Sequence, residues 1–170
     1  MRLAAVYAAV VLYLLMAVSA EATDHPPADL SLEYGFNYIT NGDGLSMPIG
    51  VAVSLGVNVS GQFALAVDGR WNQKREDSAT LTLTSFQAGP RLVIRKVGAT
   101  PYVQVVAGAA RASNGGSETR FSVMPGAGVD MKMTDKVSIR IGADYRHVFL
   151  EGYDEGDLLA HAGVVFQLGK

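Results

Sequence analysis

Cysteine is absent from the 170 residues, which excludes disulfides and thiolate metal sites. Charge is sparse too: 18% of residues are charged and the formal net charge is -2. Nucleic-acid binding calls for a basic excess or a basic stripe, and neither is present. Beyond Val18 no apolar run reaches the roughly 20 residues that a membrane helix needs, so further membrane contact requires another device. No later segment carries a convincing 3.6-residue period, which argues against amphipathic helices. Glycine, in contrast, is plentiful, at 19 residues.

The start of the chain has a layout of its own. Met1-Arg2 brings one positive charge, Leu3–Val18 is almost unbroken apolar sequence, and small residues stand at Ala20 and Ala22. That is the plan of a secretory signal peptide, cut after Ala20 or Ala22. The other reading, an uncleaved anchor, suffers from the shortness of the run. Residues 1–22 are therefore expected to be the signal peptide, 23–29 with Pro26-Pro27 a flexible lead-in, and 30–170 a single domain.

From Leu30 onward one pattern recurs about eight times: apolar and polar residues alternate with period 2, the signature of strands with two unlike faces. Leu30, Leu32, Tyr34, Phe36 and Tyr38 oppose Ser31, Glu33, Gly35 and Asn37. Val137, Ile139, Ile141, Ala143 and Tyr145 oppose Ser138, Arg140, Gly142, Asp144 and Arg146. Tyr102 and Val106 are exceptions that fall among the polar set. The connections alternate as well. Asn41–Met47, Gln73–Thr80, Ala112–Thr119 and Phe149–Leu158 read as long loops; Asn58–Gly61, Val97–Thr100 and Thr134–Lys136 read as short turns. The last turn keeps parity and sets Asp130 across from Arg140. Regular strands joined in this way form an up-and-down meander, and an even number of about eight closes into a barrel.

Alternation alone does not say which face is wet. A soluble barrel buries its apolar set, whereas a membrane barrel turns it to lipid. Three features favour the second. No charge falls on the apolar parity within the expected strands. The polar parity holds Gly50, Gly56, Gly89, Gly108, Gly126, Gly128, Gly142 and Gly163, as a narrow, filled lumen requires. Aromatics gather near strand ends, Tyr38, Trp71, Phe86, Phe121 and Tyr145 toward the long loops, Phe63 and Phe166 toward the other end, where the two membrane interfaces would lie.

The stretches G-A-G-V-D at Gly126–Asp130, R-I-G-A-D-Y at Arg140–Tyr145 and A-G-V-V-F-Q-L-G at Ala162–Gly169 resemble the small outer-membrane β-barrel domain of Gram-negative bacteria, the OmpA/OmpX-like superfamily. The resemblance spans Leu30 to Lys170. It implies an all-β fold, an eight-stranded antiparallel up-and-down transmembrane β-barrel, with periplasmic ends and surface loops at the long connections. It also implies lipid and lipopolysaccharide as surroundings and the barrel-assembly machinery as a partner. Many members end in an aromatic residue; here Leu168-Gly169-Lys170 ends the chain, so recognition by that machinery would lean on Phe166. No wall-binding domain follows the barrel, so the anchoring role of larger relatives does not carry over.

The polar parity places Glu33, Asp68, Asp130 and Asp144 with Arg70, Arg91, Arg95, Lys132, Arg140 and Arg146 in the lumen, where opposite charges should pair. A plug of this kind suits a non-enzymatic, structural or surface-contact role. The alternatives are a narrow pore for ions or small solutes, and a secreted soluble barrel that binds an apolar ligand. For catalysis, Ser85, Ser122, His147 and His161 are the available groups, but no G-x-S-x-G elbow accompanies them. The acidic cluster Glu151, Asp154, Glu155 and Asp157 lacks the ligand spacing of a calcium loop. No cofactor, metal or catalytic constellation is expected.

Overall fold

A computed structural model of the protein describes residues 26–39, 46–76, 79–96, 98–113, 116–149 and 154–169. The strands are β1 (Ala28–Ile39), β2 (Ser46–Met47), β3 (Ile49–Asn58), β4 (Phe63–Glu76), β5 (Ala79–Val93), β6 (Ala99–Ser113), β7 (Ser117–Lys132), β8 (Val137–Phe149) and β9 (Asp154–Leu168). All pairings are antiparallel. The first and last strands meet along their length, from Ala28↔Leu168 to Ile39↔Asp157. The eight long strands thus close into an up-and-down barrel. The two-residue β2 pairs with Asn37 and Tyr38 of β1, while β3 pairs with Ala28–Tyr34. Between them stands Pro48, which has no N–H for the ladder; the Tyr34 hydroxyl donates to its carbonyl.

The faces follow from the alternation. Leu32, Tyr34, Val51, Val53, Val103 and Ile141 point outward and are exposed, while Ser31, Glu33, Ser54, Asp68 and Asp144 point inward and are buried. A continuous apolar belt of this extent far exceeds what a protein in water leaves uncovered. Facing hydrocarbon, the same belt is favourable. Among the described residues, no helix is long and apolar enough to cross a membrane.

Glycine sits where large polar groups need the space. A Cβ on Gly126 would lie 1.6 Å from Asp144 Oδ1, and one on Gly142 would lie 2.6 Å from the His161 ring. At Gly108 the obstacle is backbone: a Cβ there would lie 2.1 Å from the Phe86 carbonyl oxygen.

The strands are longer than the sequence pattern suggests. The ladder of β4 and β5 runs to Glu76↔Ala79, that of β6 and β7 to Ser113↔Ser117, and that of β8 and β9 to Phe149↔Asp154. Three expected long loops are therefore mainly paired strand. Their polar composition resembles a loop because these strands have left the lipid and stand in water. The barrel also starts earlier than Leu30. Ala28 and Asp29 belong to β1, and the carbonyls of Pro26 and Pro27 accept from the Asn58 side chain and backbone N–H at 2.8 and 2.9 Å. The expected signal peptide and the first part of the expected lead-in lie outside the described residues.

Beyond the aromatic positions Trp71, Phe86 and Phe121 the two faces exchange character. Thr80, Thr82 and Thr84 turn outward on β5, as do Arg75 on β4 and Arg111 on β6, while Leu81 and Leu83 turn inward. Inside, Ile39, Met47 and Leu83 form a buried cluster, with Leu81 packed against it. The outer rim is thus built like a soluble barrel on top of an inverted one.

Candidate functional site

The lumen is where the chain concentrates its ionisable chemistry. Because every second residue of each long strand points inward, side chains far apart in sequence converge there. At the end bearing the short turns, Arg140 on β8 donates from Nε and Nη2 to the two oxygens of Asp130 on β7, at 2.7 and 2.8 Å. The fork-on-carboxylate geometry gives two parallel charge-assisted bonds. Arg140 also reaches Glu33 at 3.4 Å and Asp29 at 3.5 Å. The Tyr102 ring lies between two guanidinium groups, 4.8 Å from that of Arg140 and 4.9 Å from that of Arg91. A cation over an aromatic face is attractive, and more so when both are removed from water. Tyr102, which broke the polar parity in sequence, is therefore part of the charge network.

The middle of the lumen is organised by His161 on β9. Its Nδ1 lies 2.5 Å from Glu33 Oε2 of β1, and its Nε2 lies 3.1 Å from Asp144 Oδ2 of β8. Asp144 in turn accepts from Arg70 of β4 at 2.6 Å and from Gln104 of β6 at 3.3 Å. Arg91 donates to Gln104 at 2.9 Å and to Ser54 at 3.0 Å, and stands 4.0 Å from Asp68. Seven strands are thus tied across the barrel by contacts that do not belong to the ladder. Next comes a dry layer of Ala66, Val106, Met124 and Leu159. Beyond it Arg146 donates to Asp157 Oδ2 at 2.9 and 2.5 Å and to Ser85 at 3.3 Å, and Gln87 donates to Ser122 at 2.9 Å.

Of the lumen charges expected from sequence, Glu33, Asp68, Arg70, Arg91, Asp130, Arg140, Asp144 and Arg146 point into the barrel. Arg95 and Lys132 do not join them. Arg95 lies beyond the end of β5, where it bonds the Gly61 carbonyl at 2.9 Å and Asn58 at 2.7 Å. Lys132 ends β7 and pairs with Asp135 in the turn at 2.7 Å, both well exposed. Parity put them on the inner face, but both stand at the mouth, where the chain turns away. Three members went unrecognised. The sequence puts Asp29 in the lead-in and Asp157 in a loop, and offers His161 among the groups available for catalysis. The signal for His161 was its place on the polar parity of the last strand, opposite Gly35 and Gly142.

The aromatics Tyr38, Phe63, Trp71, Phe86, Phe121, Tyr145 and Phe166 all face outward and are exposed. Phe121 stacks on Phe149 at 5.8 Å, and His147 meets Phe149 edge-on at 4.6 Å. His147 thus packs in the outer aromatic ring. Ser85 and Ser122 point into the lumen, bound to Arg146 and Gln87. Among the described residues, no group of three His, Cys, Asp or Glu is arranged to hold a metal ion. Of the acidic loop cluster, Asp157 belongs to the lumen, and Glu151 lies outside the described residues.

The profile of a family described as the outer membrane protein beta-barrel domain matches residues 8–166. The chain belongs to this family of outer-membrane β-barrels. Its place is accordingly the outer membrane, and the soluble, secreted barrel is set aside. No curated protein sequence matches it. Solved structures with the same fold include Neisserial surface protein A, at 18% identity and a TM-score of 0.68 over 83% of this chain and 96% of that one. Ail, the attachment invasion locus protein of Yersinia pestis, superposes at 17% identity and 0.57 over 84% and 99%. The outer membrane enzyme PagL does so at 16% identity and 0.50 over 81% and 98%. At such identities the likeness concerns the fold alone.

Proposed function

We propose that this outer-membrane barrel is a non-enzymatic structural element, plugged by its own lumen charges, with a role in membrane integrity or surface contact. The observation that carries the reading is the grip of Glu33 and Asp144 on the two nitrogens of His161, continued through Arg70 and Arg140 to the barrel wall. Parting one buried pair costs about 3–5 kcal/mol, and a continuous water path requires several partings at once. Against catalysis stands the placement of the side chains: Ser85 and Ser122 are bound to Arg146 and Gln87, His161 is held by Glu33 and Asp144, and His147 packs on Phe149. A hydrolase needs nucleophile, base and acid within hydrogen-bond reach of one another. PagL shows that a barrel of this fold can be an enzyme, so the inference rests on the side chains and not on the architecture.

The outward apolar belt and its aromatic rings suit contact with lipid and lipopolysaccharide, and Phe166 on β9 is the residue on which the barrel-assembly machinery would act. The test is electrical. Residues 23–170, refolded in detergent and added to planar bilayers, are expected to give no discrete current steps. Reproducible single-channel steps from the unmodified protein would instead establish the narrow pore.

A further inference from the structure

Between the dry layer and the inner mouth, five carboxylates turn into the barrel: Asp29, Glu33, Asp68, Asp130 and Asp144. Arg70, Arg91 and Arg140 answer them, and Arg95 lines the mouth beside Asp29 and Asp130 as a fourth cation. Among the described residues, His161 is the remaining basic side chain buried in this half, on β9 opposite Gly35 and Gly142. With a neutral ring, one negative charge would stand unbalanced away from water, which is strongly unfavourable. The geometry asks for the same positive charge independently. Nδ1 lies 2.5 Å from Glu33 Oε2, and Nε2 lies 3.1 Å from Asp144 Oδ2. An ionised carboxylate only accepts, and a neutral imidazole carries hydrogen on one nitrogen alone. Either neutral tautomer would therefore turn a bare lone pair toward one of the two carboxylates. Both carboxylates are tethered, Asp144 by Arg70 at 2.6 Å and Glu33 by Ser31 at 2.5 Å and Arg140 at 3.4 Å.

We infer that His161 is a proton-operated bolt: as an imidazolium it fastens the inner half of the plug, and loss of one ring proton unfastens it. In base that proton passes to hydroxide and forms water, leaving a lone pair against a carboxylate and one carboxylate in excess. The inference rests on the plugged lumen and adds what controls it. It concerns the inner half alone, because the dry layer of Ala66, Val106, Met124 and Leu159 lies beyond, and past it Arg146 and Asp157 pair with each other.

The test uses residues 23–170 in lipid nanodiscs, with nitrogen-15 in the histidine rings. His25→Gln and His147→Gln assign the signal of His161 by elimination. At about pH 7.5, where a histidine free in water is mostly neutral, both ring nitrogens of His161 are expected to carry hydrogen. In Glu33→Gln the charges balance without the ring, and the carboxamide has a hydrogen to offer Nδ1, so one N–H is expected there. Urea unfolding supplies the second readout. The midpoint of His161→Gln should lie below that of the unmodified protein at neutral pH, and the gap should shrink as base removes the ring proton. Changes at Tyr102, which lies between the guanidinium groups of Arg91 and Arg140, are common to both proteins and cancel in the gap. If His161→Gln does not fold, the two ring spectra decide alone. A single N–H on the unmodified ring at about pH 7.5 would overturn the inference, as would a gap that base leaves unchanged. A doubly protonated ring in Glu33→Gln would overturn the charge balance as its cause. Current steps at neutral pH would instead sink the plugged lumen, whatever the ring carries.

Discussion

The middle of the barrel and its outer rim are made from the same strands but obey opposite rules. In the middle, valine and isoleucine face out, and a cage of arginine, carboxylate and histidine fills the inside. At the rim, Thr80, Thr82 and Thr84 face out and Leu81, Leu83 and Met47 face in. Between the two, on β5, lie only Ser85 and Phe86. What changes across that step is the solvent. The backbone ladder continues through it without a break, so strand geometry is indifferent to the surroundings and the side chains alone record them. Where lipid ends, the hydrophobic effect regains its usual direction and the apolar residues return to the inside.

The largest expected effect comes from the backbone that both regions share. Gly108→Val places branched carbon against the Phe86 carbonyl, where no flexible side chain can yield. The folded, heat-shifted band in SDS electrophoresis should disappear. Next is the cage. Asp144→Ala removes the carboxylate from Arg70 and from Nε2 of His161, whose Nδ1 keeps Glu33, and should lower unfolding free energy in urea by about 3–5 kcal/mol. A loss below about 1 kcal/mol would show that the middle is not organised by its charges.

The third and fourth predictions put one side chain on the same outer face at two heights. Ile141→Arg, in the apolar belt, should cost about 2–4 kcal/mol, as a cation does near the bilayer midplane. Thr82→Arg, at the rim, should cost about 0–1 kcal/mol, as it does near the interface. Equal costs at the two positions would erase the boundary between the regions. Intermediate positions along β5 would sharpen it and measure how abruptly lipid gives way to water.

Much of the middle was legible in the sequence, since a period-2 pattern with no charge on one parity reports a two-faced strand directly. The pairing of Asp130 with Arg140 followed from the length of one turn, because parity had to be kept across it. Strand ends were less legible. Gln73 to Thr80 looks like a loop because the polar composition that marks loops also marks a strand standing in water. The inward Leu81 and Leu83 were missed for the same reason, since the rule for facing had reversed. Parity assigns a side but not a depth, so Arg95 and Lys132 were placed in a lumen whose mouth they border. His161 was hidden by chemistry: a histidine beside a loop suggests a catalyst, and only closure of the barrel brings Glu33 and Asp144 to its two nitrogens.

The seam between β1 and β9 has a consequence in time. Ala28 has Leu168 for a partner, and Ile39 has Asp157, so the first strand made waits for the last. Until then both strands present open edges and the apolar belt is uncovered, which invites aggregation. Contacts between such distant parts of a chain also form slowly. The order of synthesis thus makes this barrel dependent on being held apart from its own kind until its final strand arrives.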